Sequence, residues 1–412
     1  VHIMTNNNQS RFIREFQLQQ HTPIIHFQAD QDGATLRATE LKPKLDKFII
    51  AKESWQNDPT STDKDWKKNI KKEARHFFIG KNQAEFPALD YKVRITEEGN
   101  AKNYIFASLL NGKQKDLVSK NAYIPISPAP YFADNQFIKS YEADFDSIRK
   151  GVLCEGSITV TFFSLNTDLL DIIDKYFEEF LLLHNFGTRQ SKGFGSFTTA
   201  NLNDERITEI FRQNARPVFC SIQTYIGIDQ IFKMITDTYQ VLKSGKGKKN
   251  SDGIRQTPSK LQQHYLTKKI EGLPVVWEAV PIKDCLYYRK ENREQADGAK
   301  QIVAWPNERY IRILLGLAEE YVYMQASIPI DKVKINDLAG EIERFKSPLT
   351  FKVVNKHIYI LCGEIPDDLY ERTFEFSADD RVPLHIKTPP LEMILNLGDF
   401  LKNYLGKDWK QV

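Results

Sequence analysis

Asn185-Phe186-Gly187-Thr188-Arg189-Gln190-Ser191-Lys192-Gly193-Phe194-Gly195-Ser196-Phe197 is the stretch from which the rest of the chain can be read. Just before it, Asn166 or Thr167 can cap a helix and Asp168 and Asp171 suit its positive end. Leu169, Ile173, Tyr176, Phe177 and Phe180 then repeat at helical spacing. Further back, residues 157–164 alternate, with Ile158, Val160 and Phe162 on one face and Thr159, Thr161 and Phe163 on the other, as a strand does. Strand, helix and glycine-rich turn thus follow one another. Gly187, Gly193 and Gly195 accept positive φ and let backbone approach a ligand. Arg189 and Lys192 supply cationic donors, and Thr188, Gln190 and Ser191 add polar donors suited to phosphate or ribose. The spacing is not that of a P-loop, and a loop that follows a helix is not a dinucleotide fingerprint. Lys192-Gly193-Phe194-Gly195 matches the start of the RNP1 pattern and departs at Ser196-Phe197-Thr198. A plain helix-to-strand turn competes with the ligand reading, and Phe194 and Phe197 read as core.

Outward from this stretch, strands and helices alternate in both halves. Phe12, Phe16 and Leu18 share one face of a first strand closed by Pro23, and Leu41, Leu45, Phe48 and Ile49 give a helix with Pro43 in its first turn. The pattern restarts with a strand-like run at 217–226 and a helix over 228–243. A lysine- and glycine-rich loop is expected at 243–260 and a helix at 309–323. A hairpin over 350–361 turning near Asn355-Lys356, and a closing helix carrying Met393, Leu397, Phe400, Leu401 and Tyr404, complete the chain. Strand runs alternate in polarity instead of being wholly apolar, which favours mixed or antiparallel sheets with one exposed face. The expected architecture is α+β: two ferredoxin-like (RRM-like) domains, residues 1–205 with the loop at 187–195 and residues 206–412, the second more divergent.

At 412 residues with 41% hydrophobic and 27% charged, the composition excludes wholesale disorder. Lys+Arg 57 against Asp+Glu 54 nets only +3, so a polyanion site has to come from local clustering. Cys154, Cys220, Cys285 and Cys362 lack the short spacing of a zinc or redox motif and read as buried free thiols, so neither metal nor cofactor is expected. No apolar run is long enough for a bilayer span, and Val1 to Ser10 lacks the features of a secretory leader; a cytoplasmic setting without membrane contact is the expectation.

Helix–Gly-x-Arg-x-x-Lys-Gly-Phe-Gly resembles the signature loop of the RAMP superfamily of CRISPR-associated RNA-binding proteins. Gln17 to Ile24, ending in Thr22-Pro23, resembles the opening strand of that family. Gly33 to Lys44 sits where members carry a short basic loop and helix against RNA. Arg344-Phe345-Lys346-Ser347-Pro348-Leu349-Thr350-Phe351 is similar to an element of one branch, the terminal subunit of the type III-B (Cmr) effector. The resemblance implies two fused ferredoxin-like folds and partners in CRISPR guide RNA, target RNA and other Cmr/RAMP subunits of an antiviral complex. Arg37, Lys42 and Lys44 would join Gly187, Thr188, Arg189, Gln190, Ser191, Lys192 and Gly193 in holding RNA near the guide's 3′ region. The chain departs from the family in lacking glycines after Thr22-Pro23.

Independently of the resemblance, Lys64, Lys67, Lys68, Lys71, Lys72 and Arg75 crowd one helix-sized window. A face of that kind gives salt-sensitive, sequence-blind affinity for RNA, or is simply a solvated helix face. The alternative to a binding module is a RAMP endoribonuclease cutting repeat RNA through His26 or target RNA through Asp30 or Asp32. A protein-interaction scaffold is the third reading.

Overall fold

Phe16 and Leu18 of β1 (Ile13–Gln20) pack toward the core while Glu15, Gln17 and Gln19 face solvent, so the two-residue period of the sequence becomes a half-buried strand. The computed structural model describes residues 11–26, 36–58, 69–79, 88–106, 112–120, 122–126, 150–200, 202–249, 255–282, 307–317, 320–325, 328–378 and 382–412. After β1 come α1 (Ala38–Lys52), β2 (Lys92–Glu98), β3 (Ser157–Phe163), α2 (Thr167–Leu183) and β4 (Phe197–Thr199). The strands pair in the order β2-β3-β1-β4, antiparallel throughout. This β-α-β-β-α-β succession with two central antiparallel strands is the ferredoxin-like arrangement.

The second half repeats it. After a linking helix α3 (Asp204–Gln213) come β5 (Val218–Ser221), α4 (Ile228–Lys243), β6 (Leu349–Val354), β7 (His357–Cys362), α5 (Leu397–Tyr404) and β8 (Trp409–Gln411). Their order, β6-β7-β5-β8, is again antiparallel throughout. Insertions decorate both repeats. The first carries a small sheet of Ile24–Ile25, Gly151–Cys154, Ala101–Phe106 and Tyr123–Ile126; the second carries one of Glu320–Gln325, Ile328–Asp337, Thr373–Ser377 and Leu384–Lys387. The last strand of the first repeat ends at Thr199 and the first strand of the second begins at Val218.

Ile158, Val160 and Phe162 of β3 are fully buried against Leu169, Ile173, Phe177 and Phe180 of α2 and Leu41, Leu45 and Ile49 of α1. Asn166 caps α2, accepting from the Leu169 amide. The opposite face of the first sheet shows Gln17, Gln19 and Arg94 to solvent, and among the described residues it carries no row of stacked aromatics for bases to lie on. A second core lies mainly in the second repeat but takes in Ile25, Tyr104, Phe106, Ile126 and Phe194 of the first, and a third cluster spans the two: Leu182 of α2 and Ile207, Ile210 and Phe211 of α3 meet Val218, Val354, Tyr359 and Leu361. The two folds therefore share buried apolar surface.

Several expectations need correcting. Pro43 is the sixth residue of α1, not in its first turn; it withholds the amide that would bond the Thr39 carbonyl, at an exposed position where water can serve that oxygen. Lys71 is extended (ψ 139), and a 3-10 helix runs only from Lys72 to Phe77, so the basic window is not one helix. Tertiary pairing overrides helical spacing there: Ile70 bridges Gln56, the Lys71 amide bonds the Trp55 carbonyl, and the Trp55 ring stacks on Phe77. The lysine- and glycine-rich loop at 243–260 instead contains paired strands, Lys246–Lys249 and Arg255–Thr257, and a helix, Lys260–Leu266, capped by Ser259. The helix expected at 309–323 is a short 3-10 turn, Arg312–Leu315, stopped by Gly316 at φ 112 and followed by the strand Glu320–Gln325. Ile313, Leu314 and Leu315 are all buried in succession, which one face of a helix cannot achieve. The hairpin turns at Asn355 (φ 48) and Lys356 (φ 67), the left-handed pair that a two-residue turn needs. Among the described residues no helix is long and apolar enough to cross a membrane.

Candidate nucleic-acid interface

The loop between α2 and β4 is built by glycines, for a reason other than ligand approach. Gly187, Gly193 and Gly195 all have positive φ (78, 85 and 63). A Cβ at Gly195 would lie 2.0 Å from the Phe186 carbonyl oxygen, one at Gly187 2.5 Å from the Ile25 oxygen, and one at Gly193 2.7 Å from the Ile235 side chain. The space that a side chain would fill is occupied by the protein itself. Glycine here lets the loop fold tightly onto its own scaffold.

The loop then joins the two folds. The Phe351 amide in β6 donates to the Ser191 carbonyl at 3.1 Å, and Lys192 forms a parallel bridge with Phe351. Asn185 Nδ2 donates to the carbonyls of Gln190 and Phe351 at 2.7 and 2.8 Å, and Ser196 Oγ donates to the Val353 carbonyl at 2.6 Å. Phe194 bridges the repeats, stacking on Phe232 of α4 with ring centroids 4.2 Å apart and meeting Phe106 of the first repeat edge-on at 5.3 Å, while Phe186 and Phe197 stay in the first core. The loop thus lies along β6, which among the described residues is the edge strand of the second sheet.

Lys192, expected as a phosphate donor, is buried. Its Nζ sits 3.1 Å from the centroid of the Tyr239 ring and finds no hydrogen-bond acceptor among the described residues. Burial, with Lys243 and Lys346 nearby, drives its pKa well below the ordinary lysine value. The outward turn is formed by Thr188, Arg189, Gln190 and Ser191, all half-buried, with Arg189 held at φ 56 in a region costly for a residue with a Cβ. Such local strain points toward function.

Around that turn the charges are those of lysines from both folds. Lys44 Nζ donates to the Asn185 carbonyl at 3.1 Å and lies over the Phe186 ring. Its pKa is lowered by burial, against which Glu40 works. Lys346, exposed as a residue, is lowered by desolvation of its ammonium and then by the charge of Lys44. Lys243 Nζ donates to the Gly316 carbonyl at 2.7 Å, and burial lowers it to about 7. Glu40 Oε1 stands among these groups, accepting from the Gly187 amide at 2.7 Å, Lys44 at 2.8 Å and Gln190 Nε2 at 3.3 Å.

A family model described as the Cmr1 N-terminal domain matches residues 12–246, and one described as the Cmr1 C-terminal domain matches residues 257–411. The chain belongs to the Cmr1 family. As such it is a RAMP subunit of the type III-B CRISPR Cmr complex. The apo crystal structure of Cmr1 from Pyrococcus furiosus is 12% identical, with 97% of this chain and 98% of that chain covered at a TM-score of 0.38. No curated protein matches the sequence. The Cmr1 N-terminal model extends past Val218 to include β5 and α4, so it divides the chain later than the two sheets do.

For a Cmr1-family chain, the expected site residues separate into groups. Lys44 and residues 187–193 come together at the seam between the folds. Lys42 leaves α1 in another direction: its ammonium bonds Asp46 Oδ2 at 3.1 Å and the Leu89 carbonyl at 2.8 Å, and lies 3.7 Å from the Tyr91 ring centroid. Burial pulls Lys42 down and Asp46 up, and pairing opposes both. Lys42 is therefore held in a structural pair and not presented to phosphate. Arg37 occupies the N-cap position of α1, half-buried. Lys71 lies beside Trp55, its amide on the Trp55 carbonyl, Lys72 and Arg75 sit in the 3-10 turn that ends at Phe77, with Arg75 Nε on the Ile70 carbonyl, and nothing described joins them to the loop. Lys68 lies outside the described residues, as do Lys64, Lys67, Asp30 and Asp32. His26 is buried, 6% exposed, which withdraws the proposed base from the surface.

Sequence reasoning missed Glu40, Asn185, Tyr239 and Lys352. Only the last left a signal: a lone lysine inside the apolar strand Leu349-Thr350-Phe351-Lys352-Val353-Val354 demands a buried partner.

Proposed function

We propose that this Cmr1-family chain is an RNA-binding subunit of the effector ribonucleoprotein, holding guide RNA near its 3′ region and the target strand paired to it in antiviral defence. The observation that supports this best is the crowding of cations from both folds around the outward turn at 188–191. Lys44, Lys192, Lys243 and Lys346 gather there: burial lowers each, and beyond burial the charges of Lys243 and Lys346 act on Lys192 and that of Lys44 on Lys346, in a chain whose net charge is only +3. Phosphates relieve that repulsion, with Arg189 and the polar side chains of Thr188, Gln190 and Ser191 as neighbouring donors. Base pairing does the sequence reading, and the protein grips the backbone. Lys44 comes from the first fold and Lys243 and Lys346 from the second, so the site draws on both.

Titration of a labelled guide–target RNA duplex at increasing salt tests the reading. Binding is expected to be insensitive to RNA sequence and steeply salt-dependent. Arg189→Glu and Lys346→Glu should each weaken it and lower the log–log salt slope by roughly 1. Absence of binding at low salt, or full binding by both variants, would refute it.

A further inference from the structure

Lys352 belongs to β6 of the second fold, yet its side chain is spent entirely on the first. It is 0% exposed, and its Nζ donates to the carbonyls of Leu181 at 2.6 Å, His184 at 2.8 Å and Phe197 at 3.0 Å. Leu181 and His184 belong to the last turn and C-cap of α2, where helix carbonyls lack intrahelical donors and the dipole is negative. Phe197 opens β4. The twelve residues between His184 and Phe197 are the glycine-rich loop, so one ammonium holds both of its feet. Three carbonyls match the three protons of an ammonium. Burial opposes that charge and lowers the Lys352 pKa, so the position costs free energy that an apolar residue would not.

We propose that Lys352 is the positioning residue of the glycine-rich loop, so that the second fold sets the shape in which the first fold offers Arg189 to RNA. The part of this that concerns RNA rests on the binding reading above; the clamp itself does not. Lys352 touches no solvent, so it acts through the loop and not on phosphate.

The full-length chain carrying Lys352→Met, which keeps the stem and removes the donors, is compared with Lys352→Arg, which keeps charge and donors. Amide exchange across 185–199 should rise at least about fivefold in Lys352→Met, as for loss of one net hydrogen bond, with residues 158–177 unchanged. Duplex affinity should fall by a similar factor with the salt slope unaltered, because no phosphate contact is lost. Lys352→Arg should restore part of both. Unchanged exchange at 185–199 overturns the clamp, whether or not RNA binds. Raised exchange with unchanged affinity, in a chain that binds RNA, overturns the positioning role. A slope reduced by roughly 1 shows direct phosphate contact and overturns it too. If wild type binds no RNA, the binding reading fails while the exchange result still decides the clamp. Should Lys352→Met not fold, Ser196→Ala removes the neighbouring bond to Val353, and loosening of 185–199 is expected in the same direction; its absence overturns the proposal.

Discussion

Gly195→Ala separates a glycine required by the scaffold from one kept for a ligand. Gly195 lies at φ 63, where an alanine loses roughly 1–2 kcal/mol. The added Cβ would lie 2.0 Å from the Phe186 oxygen and 2.8 Å from its carbonyl carbon, and backbone cannot swing aside as a side-chain tip can. Overpacking of this kind costs about 1–3 kcal/mol. Relief by backbone shift would sacrifice the Phe186 amide bond to the Gly195 carbonyl or the Gly195 amide bond to the Pro23 carbonyl, each 2.9 Å, at roughly 1 kcal/mol apiece. The sum, roughly 3–6 kcal/mol with one of the two bonds lost, is a large share of a domain's stability and should lower the calorimetric midpoint by about 10 °C or more. Gly193→Ala should cost less, because its Cβ meets the tip of the Ile235 side chain and not backbone. Gly406→Ala, with nothing within 4 Å, is the control and should change stability by less than about 0.5 kcal/mol. A Gly195→Ala midpoint as close to wild type as the Gly406→Ala control would refute the reasoning.

Glu40→Gln removes the carboxylate that Lys44, Gln190 and the Gly187 amide share; duplex affinity measured by anisotropy should rise about two- to fivefold, and a fall would show that the charge is needed to shape the loop. Lys42→Ala strands the buried Asp46 carboxylate and should cost roughly 1–3 kcal/mol in urea unfolding while leaving RNA affinity within about twofold. Acidification should destabilise the fold through His21 and His184. Burial lowers them to about 3 and about 4, Lys352 adding to the first, so the unfolded chain takes up protons earlier. Their contribution is complete above about pH 6.5 and disappears as the pH falls toward 4 and below; His184→Asn should flatten the unfolding midpoint across that window.

Much of the scaffold was legible without coordinates. The helices over 167–183 and 228–243 and the hairpin at 349–362 follow from local periodicity and turn chemistry, which need no distant partner. The described end of the basic window, 70–75, and the described part of the run at 309–323 misled for the complementary reason: helical spacing there is overridden by non-local pairing. Lys42 and Lys44 are indistinguishable in sequence, two positions apart on one helix, and only the direction of α1 sends one to Asp46 and the other to the loop.

By itself, then, the sequence determined two α+β repeats and a glycine-rich turn after α2, because strand alternation, helix spacing and glycine's tolerance of positive φ act within a few residues. Only the tertiary structure decided that this turn lies against the edge of the other repeat, with Lys192 sunk onto Tyr239 and Lys352 reaching back to grip its feet. Whether a lysine faces water or a buried carbonyl depends on which distant backbone packs above it, and that is a property of the folded chain as a whole.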